Sequence, residues 1–271
     1  MYVGSYTGSG RKIFWQELWR HEFLEALTRD PVVLLPVGSV EQHGPHCPMD
    51  VDIAGPFFMA SEVAHRVTDF PVIVAPPLWS GLAHYNMGFP GTISLRLETF
   101  QNLLADVLRS IHANGFHRII ALNGHGGNWG PSRAVCWQLA EEDIFPLCFN
   151  WWQVVETELR DWGEADRDVG HGGEWETSVQ LHLRPNLVDR TRANHDQAGT
   201  QPFSPGLAFA EFAERRRDTV AGTGTMGNAT AATPEKGERI FTLVCQRLEQ
   251  LVREFHCQPV RHYREFGTHC P

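Results

Sequence analysis

The sequence predicts an α/β fold: a mostly parallel sheet with helices on both faces. Three observations carry that prediction. Short apolar runs at 32–37, 72–75, 119–122 and 145–149 are bounded by turn residues, as buried strands are. The segments between them repeat apolar residues at helical spacing, and strands alternating with helices build parallel sheets through right-handed crossovers. The first and third runs each pass into a loop rich in glycine, histidine or carboxylates. Open α/β sheets bind their ligands beyond the carboxyl ends of the strands.

In chain order, residues 1–12 are polar and glycine-rich and read as a loose arm. From 13 to 27, Phe14, Leu18, Trp19, Phe23 and Leu27 recur at helical spacing, which predicts one amphipathic helix stopped by Thr28-Arg29-Asp30-Pro31. Strand 32–37 is broken by Gly38 and followed by a stiff loop from Glu41 to Asp52. Residues 54–67 have a helical pattern, and strand 72–75 stops at Pro76-Pro77. The long connection 79–95 holds His84-Tyr85-Asn86 and Phe89-Pro90-Gly91-Thr92, and connections of this length are often functional. A helix over 98–114 ends at Gly115, a C-cap residue. Strand 119–122 runs into Asn123-Gly124-His125-Gly126-Gly127-Asn128. A helix over 131–142 has Pro131 in its first turn, and strand 145–149 leads to Trp151-Trp152. After a polar stretch, His171-Gly172-Gly173-Glu174-Trp175-Glu176-Thr177-Ser178 opens a helix reaching about Leu183. Residues 186–233 read as long loops around one helix near 207–217, with Arg215-Arg216-Arg217 on its solvated face. The last helix spans 234–255 and leaves 256–271 as a tail. No repeat or linker divides the chain, so residues 1–271 are expected to form one domain.

The net charge of −9 argues against a nucleic-acid partner. The six cysteines are scattered, with no CxxC pair, so they form neither a zinc ribbon nor a dense disulfide framework and are expected as thiols in a reducing compartment. The N-terminus lacks the apolar core of a signal peptide, and no run approaches the ~20 residues of a membrane helix. A cytoplasmic protein without membrane partners is expected.

Four segments place histidine and carboxylates beside glycine: Glu41/His43/Asp50/Asp52, His84, His125, and His171/Glu174/Glu176. Mixed oxygen and nitrogen donors suit Zn, Mn or Fe(II) better than Ca or Mg. A two-metal site activates water and clamps a developing oxyanion. Competing motifs fail. Gly124-His125-Gly126-Gly127-Asn128-Trp129-Gly130 follows a strand, but its spacing is GxGxxxG and no acidic residue follows at the ribose position. There is no GxxxxGK[ST] loop and no GxSxG elbow.

The blocks Pro36-Val37-Gly38-Ser39-Val40-Glu41-Gln42-His43-Gly44, Phe89-Pro90-Gly91-Thr92, Asn123-Gly124-His125, His171-Gly172-Gly173 with Glu176-Thr177-Ser178, and Glu235-Lys236-Gly237 resemble the signature blocks of the creatininase (creatinine amidohydrolase) family, in order across about residues 13–255. The resemblance implies a three-layer α/β/α fold, a two-metal hydrolase of C–N bonds, and a homo-oligomer, commonly a hexamer. It implies Glu41, His43, Asp52 and His125 as metal ligands with Asp52 bridging, His171 as the catalytic acid/base, and Trp152 as a pocket wall. The chain departs from the family pattern at Gly126-Gly127, where creatininases carry Tyr-Glu and the Glu ligates the second metal. On a helix His171 and Glu174 would share a face, so Glu174 is expected to supply the missing carboxylate and to act with His171. Glu176 is then expected to orient a neighbour, as groups behind metal ligands do. Asn123 and Asn128 should tie down the turn, Asp50 should cap the loop, and His84 should face substrate. His46 either contacts substrate or packs in the loop.

The expected function is hydrolysis of a C–N bond of a cyclic amide or related small molecule by a metal-activated water. Two divalent ions are expected, Zn first, with Mn or Fe(II) as alternatives. The altered pocket speaks against creatinine itself. The alternatives are a C–C (cyclic-ketone ring-opening) or formamide hydrolase on the same metals, and, from another class, an inactive metal-binding subunit.

Overall fold

The computed structural model describes residues 10–162, 166, 169–196 and 222–260. Four parallel strands form the central sheet: β1 (Val32–Val37), β2 (Val72–Val74), β3 (Arg118–Asn123) and β4 (Leu147–Asn150), in the order β2-β1-β3-β4. Every residue of β1 and β3 is buried, which is why these runs are continuously apolar rather than alternating.

The pleat divides them between two cores. Val32 and Leu34 face a core shared with α2 (Val51–Arg66), α6 (Glu174–Leu183) and α7 (Pro234–Cys257). Val33, Leu35 and Val37 face a second core shared with α3 (Leu97–Ala113) and α4 (Trp129–Ala140), against which Phe23 and Leu27 of α1 (Arg20–Leu27) also pack. The result is the expected three-layer α/β/α arrangement. A short α5 (Glu156–Trp162) follows β4, and a small antiparallel pair joins β5 (His195–Asp196) to β6 (Gly227–Asn228). Among the described residues no helix is long and apolar enough to cross a membrane.

The register that matters most for the site is Val37 opposite Asn123. The β1 and β3 carboxyl ends lie side by side, and the Gly124 amide donates to Val37 O at 2.8 Å. The two polar loops therefore leave the sheet as neighbours, as the crossover rule predicts.

The first predicted helix and the start of α2 differ from expectation. Residues 13–27 are not one helix. Ile13 and Phe14 are extended and buried at 2% and 4% exposure, Phe14 bridges Val74 in parallel, and the Val74 amide donates to Ile13 O. Apolar spacing alone did not separate this extra edge pairing from a helical face. One helical turn (Trp15–Glu17) intervenes before α1. Helix α2 begins at Val51, so Asp52 stands in its first turn rather than in the loop, where a carboxylate is favoured by the helix dipole. The expected arm is pinned at its end: Lys12 pairs with Glu22 at 2.9 Å and lies over the Trp19 ring. The remainder of the arm (1–9), the helix expected near 207–217 and most of the tail (261–271) lie outside the described residues.

Helices α6 and α7 cross in close contact at Gly237, where an added Cβ would sit 1.9 Å from Ser178 O. Gly237→Ala should therefore destabilise the chain by about 1–3 kcal/mol, the usual penalty for overpacking. Urea unfolding of the variant beside the parent measures it, and an unchanged midpoint would refute the close crossing.

Candidate metal centre

The site is built at the ends of β1 and β3 and at the start of α2 and α6. Gly38 and Gly124, just past the two strands, let α2 start against them: a Cβ on either would fall 2.6 Å or 2.0 Å from Asp52 O. That approach carries the Asp52 carboxylate to the loops holding Glu41, His43 and His125. All four side chains are at most 3% exposed.

The distances define one connected cluster. His125 Nδ1 lies 3.2 Å from Glu41 Oε1 and 3.0 Å from Asp52 Oδ2. His43 Nε2 lies 3.0 Å from Asp52 Oδ1 and 3.6 Å from Glu176 Oε2. His171 Nδ1 lies 3.4 Å from Glu41 Oε1, and its ring packs on His43 with centroids 4.2 Å apart. Two donor groups, Glu41/Asp52/His125 and His43/Asp52/Glu176, could each hold an ion and share Asp52; Glu41/His43/His171 forms a third overlapping group.

The outer nitrogen of each imidazole meets a backbone carbonyl: His43 Nδ1 and Glu41 O at 3.1 Å, His125 Nε2 and Leu82 O at 2.9 Å, His171 Nε2 and Gln42 O at 2.5 Å. These bonds assign the outer nitrogen as the N–H donor and turn a lone pair into the cluster, the arrangement that orients metal-binding histidines. Inside, both oxygens of Glu41, Oδ2 of Asp52 and Nε2 of His43 are buried with no hydrogen-bond partner. Unsatisfied buried acceptors are costly, and divalent cations held by these overlapping donor groups would satisfy them. The donor set fits divalent metal ions.

Electrostatics agree. Burial works against a charged His43, yet Asp52, Glu176 and Glu41 push it up to about 10. Burial likewise opposes charge on His125, and Glu41, Tyr85 and Asp52 outweigh it, leaving His125 well above the usual range. Asp52 is held low despite its burial, by His43 and His125. Burial, together with Asp52, brings Glu176 to about 7 against the pull of His43. His171 goes the other way: burial and the neighbouring His43 lower it to about 4.

Glu174 does not reach the cluster. Its carboxylate accepts from Lys236 Nζ at 2.7 Å and from the Asp166 amide at 3.0 Å. The shared-face argument fails because α6 starts at Glu174: His171 precedes the helix and pairs with Met226 in a single antiparallel bridge. Residues two apart on a helix diverge by roughly 200°, and Glu176 has the inward face. Its Oε2 also accepts from the Gly172 amide at 2.6 Å.

The remaining residues divide between the site and its supports. Asn123 donates to His125 O at 2.5 Å and to Asn150 Oδ1 at 2.7 Å, and Asn128 ties Leu82 N to Gly38 O. Asp50 is held by Arg184 at 2.8 and 2.9 Å, which makes it a tie to the end of α6. His46 is buried against Thr177 Oγ1 at 2.9 Å, a packing position. His84 is exposed in a short helical turn (His84–Asn86). Trp152 is half-buried and packs edge-on against Trp151 and the first core. Two residues at the site, Tyr85 and Gln42, were not among the sequence candidates. Tyr85 places its hydroxyl 3.4 Å from His125 Nε2. Buried Gln42 donates to Asn86 Oδ1 and to Gly224 O, both at 2.9 Å, joining the loop after β1 to two others. Only the position of Gln42 between two donors could have marked it.

The family model for creatininase, creatinine amidohydrolase, matches residues 16–252. The chain belongs to the creatininase family. It is 30% identical over 262 residues to a creatinine amidohydrolase of Pseudomonas putida, covering 90% of this chain and 97% of that protein. It is 34% identical over 224 residues to a mycofactocin precursor peptide peptidase of Mycolicibacterium smegmatis, covering 78% and 80%. Solved creatininases in Mn and Zn-Zn forms superpose with a TM-score of 0.77 at 29% identity, over 92% of this chain and 100% of theirs. The creatininase fold and a hydrolase activity follow from this membership.

Glu176→Gln should cost about one metal equivalent per chain, while Glu174→Gln, outside the cluster, keeps both, because carboxamides are poor substitutes for anionic ligands. Elemental analysis of the two purified variants decides; equal metal content would remove Glu176 from the ligand set. Without metal, protons occupy the inward nitrogens, so ion uptake must release them. With His43 raised to about 10, apparent metal affinity should climb from pH 7 towards pH 10 and fall on acidification. Titration of the metal-free chain with Zn at several pH values tests the sign, and a pH-independent affinity would contradict it.

Proposed function

We propose that the chain is a two-metal hydrolase of a C–N bond in a cyclic amide or related small molecule. One ion would be held by Glu41, Asp52 and His125, and the other by His43, Asp52 and Glu176, with Asp52 between them. The observation that supports this most is the set of buried donor atoms of Glu41, Asp52 and His43 that converge with no hydrogen-bond partner. Zn is the first candidate, with Mn or Fe(II) next, given the mixed donors. When bound, such ions supply an activated water and stabilise a developing oxyanion.

The residues themselves account for the proton transfers. His171 is kept neutral near pH 7, because burial and His43 hold it at about 4. The contact with Gln42 O occupies Nε2, so Nδ1 is free to take a proton. Nδ1 faces the cluster beside Glu41, where it can accept the proton of the attacking water and deliver it to the leaving nitrogen, as an acid/base residue does. The relatives include enzymes named for creatinine and for a precursor peptide, and both names denote C–N substrates. The Tyr-Glu pair expected of creatininases is Gly126-Gly127 here, and a Cβ on Gly126 would meet nothing within 4 Å. That open side supports a substrate other than creatinine. Assembly into a homo-oligomer, a hexamer by resemblance, belongs to the same proposal.

His171→Ala should lower turnover by about 10²–10⁴-fold, the range for losing a general acid/base, with metal content preserved. Loss of metal would instead make His171 a ligand. Activity should vanish on chelation and return with Zn, Mn or Fe(II) on a panel of lactams, hydantoin-like rings, formamides and cyclic ketones. Restored ring opening of ketones alone would transfer the proposal to C–C bonds, and a chain that binds no metal would end it.

A further inference from the structure

Helix α6 carries Glu176 in its first turn, and its starting residue decides which glutamate faces the centre. The first amides of any helix need partners from outside it. Here the residue before the helix is Gly173, which lends no side-chain bond. The partner comes instead from eight residues upstream. Asp166 Oδ2 accepts from the Glu174 amide at 2.8 Å, and the Asp166 amide donates to Glu174 Oε2 at 3.0 Å. This exchange has the reciprocal form of a capping box, in which cap and helix satisfy each other's amides. The Trp175 indole N–H adds a third bond, to Asp166 O at 2.9 Å.

The same oxygen reaches the other side of the site. Asp166 Oδ2 also accepts from the Asn228 amide at 2.7 Å. Two residues before Asn228, Met226 exchanges both backbone hydrogen bonds with His171, at 2.9 and 2.7 Å. One carboxylate oxygen therefore ties the start of α6 to the segment that pairs with His171. Two glycines make room for it: a Cβ on Gly173 would fall 2.7 Å from Asp166 Oδ2, and one on Gly227 2.3 Å. Glu174 is fully buried and also accepts from Lys236 of α7 through Oε1 at 2.7 Å, which fastens the cap to the last helix. A carboxylate at a helix N-terminus is favoured by the helix dipole as well.

We propose that Asp166 is a positioning residue of the metal centre: by capping α6 from a distance, it sets the register that turns Glu176 inward and holds the His171 segment beside it. The effect on Glu176 as a ligand rests on the two-metal reading above, whereas the cap does not. Capping at Glu174 starts the helix three residues after His171, which turns Glu174 to Lys236 and Glu176 to His43. Gly172 and Gly173 alone would leave that first turn free to shift, because glycine restricts the backbone least. The Asp166 carboxylate meets the Glu174 backbone, not its side chain, so Glu174→Gln keeps the cap and both ions.

Three full-length variants provide the test. Asp166→Asn keeps an oxygen that can accept from both amides. Asp166→Glu keeps the charge but moves it one methylene further, into the space closed by Gly173 and Gly227. Asp166→Ala removes oxygen and charge together. In the metal-free chains, amide hydrogen exchange read by mass spectrometry should rise several-fold in peptides covering 171–178 and 224–232 for the Ala and Glu variants, and match the parent for Asn. Zinc titration against a chromophoric chelator should show one of two equivalents weakened by about 10–100-fold in the Ala and Glu variants, the usual loss when a group behind a metal ligand is removed. The other equivalent, and both in the Asn variant, should keep parent affinity. Unchanged exchange, exchange raised over the whole chain, or rescue by Glu instead of Asn would overturn the cap. Local exchange with both zinc equivalents at parent affinity would overturn the positioning role. If Asp166→Ala does not fold, the contrast between the Asn and Glu variants still decides. A parent chain that binds no zinc ends the two-metal reading and the ligand role with it, while the exchange pattern judges the cap separately.

Discussion

Glu41, Asp52 and Glu176 are buried within one cluster, and three carboxylates cannot share a dry cavity without positive charge among them. Two like charges about 4 Å apart repel by ~4 kcal/mol at an effective dielectric of ~20, before the cost of removing either from water. In the metal-free chain the compensation falls to protons on His43 and His125, both raised far above their usual range. Divalent ions provide more charge in less space and also satisfy the orphaned oxygens. The same crowding that would destabilise the empty centre thus becomes its affinity for cations, as in other sites where metal binding and folding are coupled.

The backbone, more than the side chains, sets the geometry. Carbonyls of Glu41, Leu82 and Gln42 each fix one imidazole, and each belongs to a segment held by the sheet or by a neighbouring loop. Leu82 is anchored through its amide by Asn128, which also reaches Gly38 O. The ends of β1 and β3 and the 79–95 connection are thereby locked together around His125. A histidine held in this way keeps its inward nitrogen aimed at the cluster whether that nitrogen carries a proton or meets an ion, the preorganisation a catalytic centre needs.

Much of this was legible in the sequence. Continuous apolar runs announced β1 and β3 because both of their faces are covered, and parallel crossovers then required their loops to meet. Residue type and placement marked the segments that hold Glu41, His43, Asp52, His125 and His171, the creatininase resemblance singled out those five, and the structure brings all five together. What failed depended on where a helix begins or on unlike partners. Glu174 and Glu176 exchange roles if the helix begins at His171 instead of Glu174. Ile13 and Phe14 suit a helical face and an edge strand equally well until Val74 is seen beside them. The carbonyl clamps have no sequence signature at all, since every residue carries a carbonyl.

The Gly126-Gly127 departure is explained by those clamps. A Cβ on Gly127 would fall 2.3 Å from Leu82 O and 2.6 Å from His125 Nε2. A side chain there would force apart the donor and acceptor that hold His125, so the carboxylate expected at this position from creatininases does not fit this backbone. Glu176 stands across the cluster, on the inward face of α6, near His43 and Asp52. Its carboxylate is fixed by the Gly172 amide, and Gly172 adopts a left-handed conformation (φ +58) with its α-carbon turned towards the His43 backbone. Any side chain at 172 would meet that backbone, so glycine at this position is what permits α6 to approach. The third carboxylate of the cluster comes from α6, and a Cβ on Gly126 would meet nothing within 4 Å.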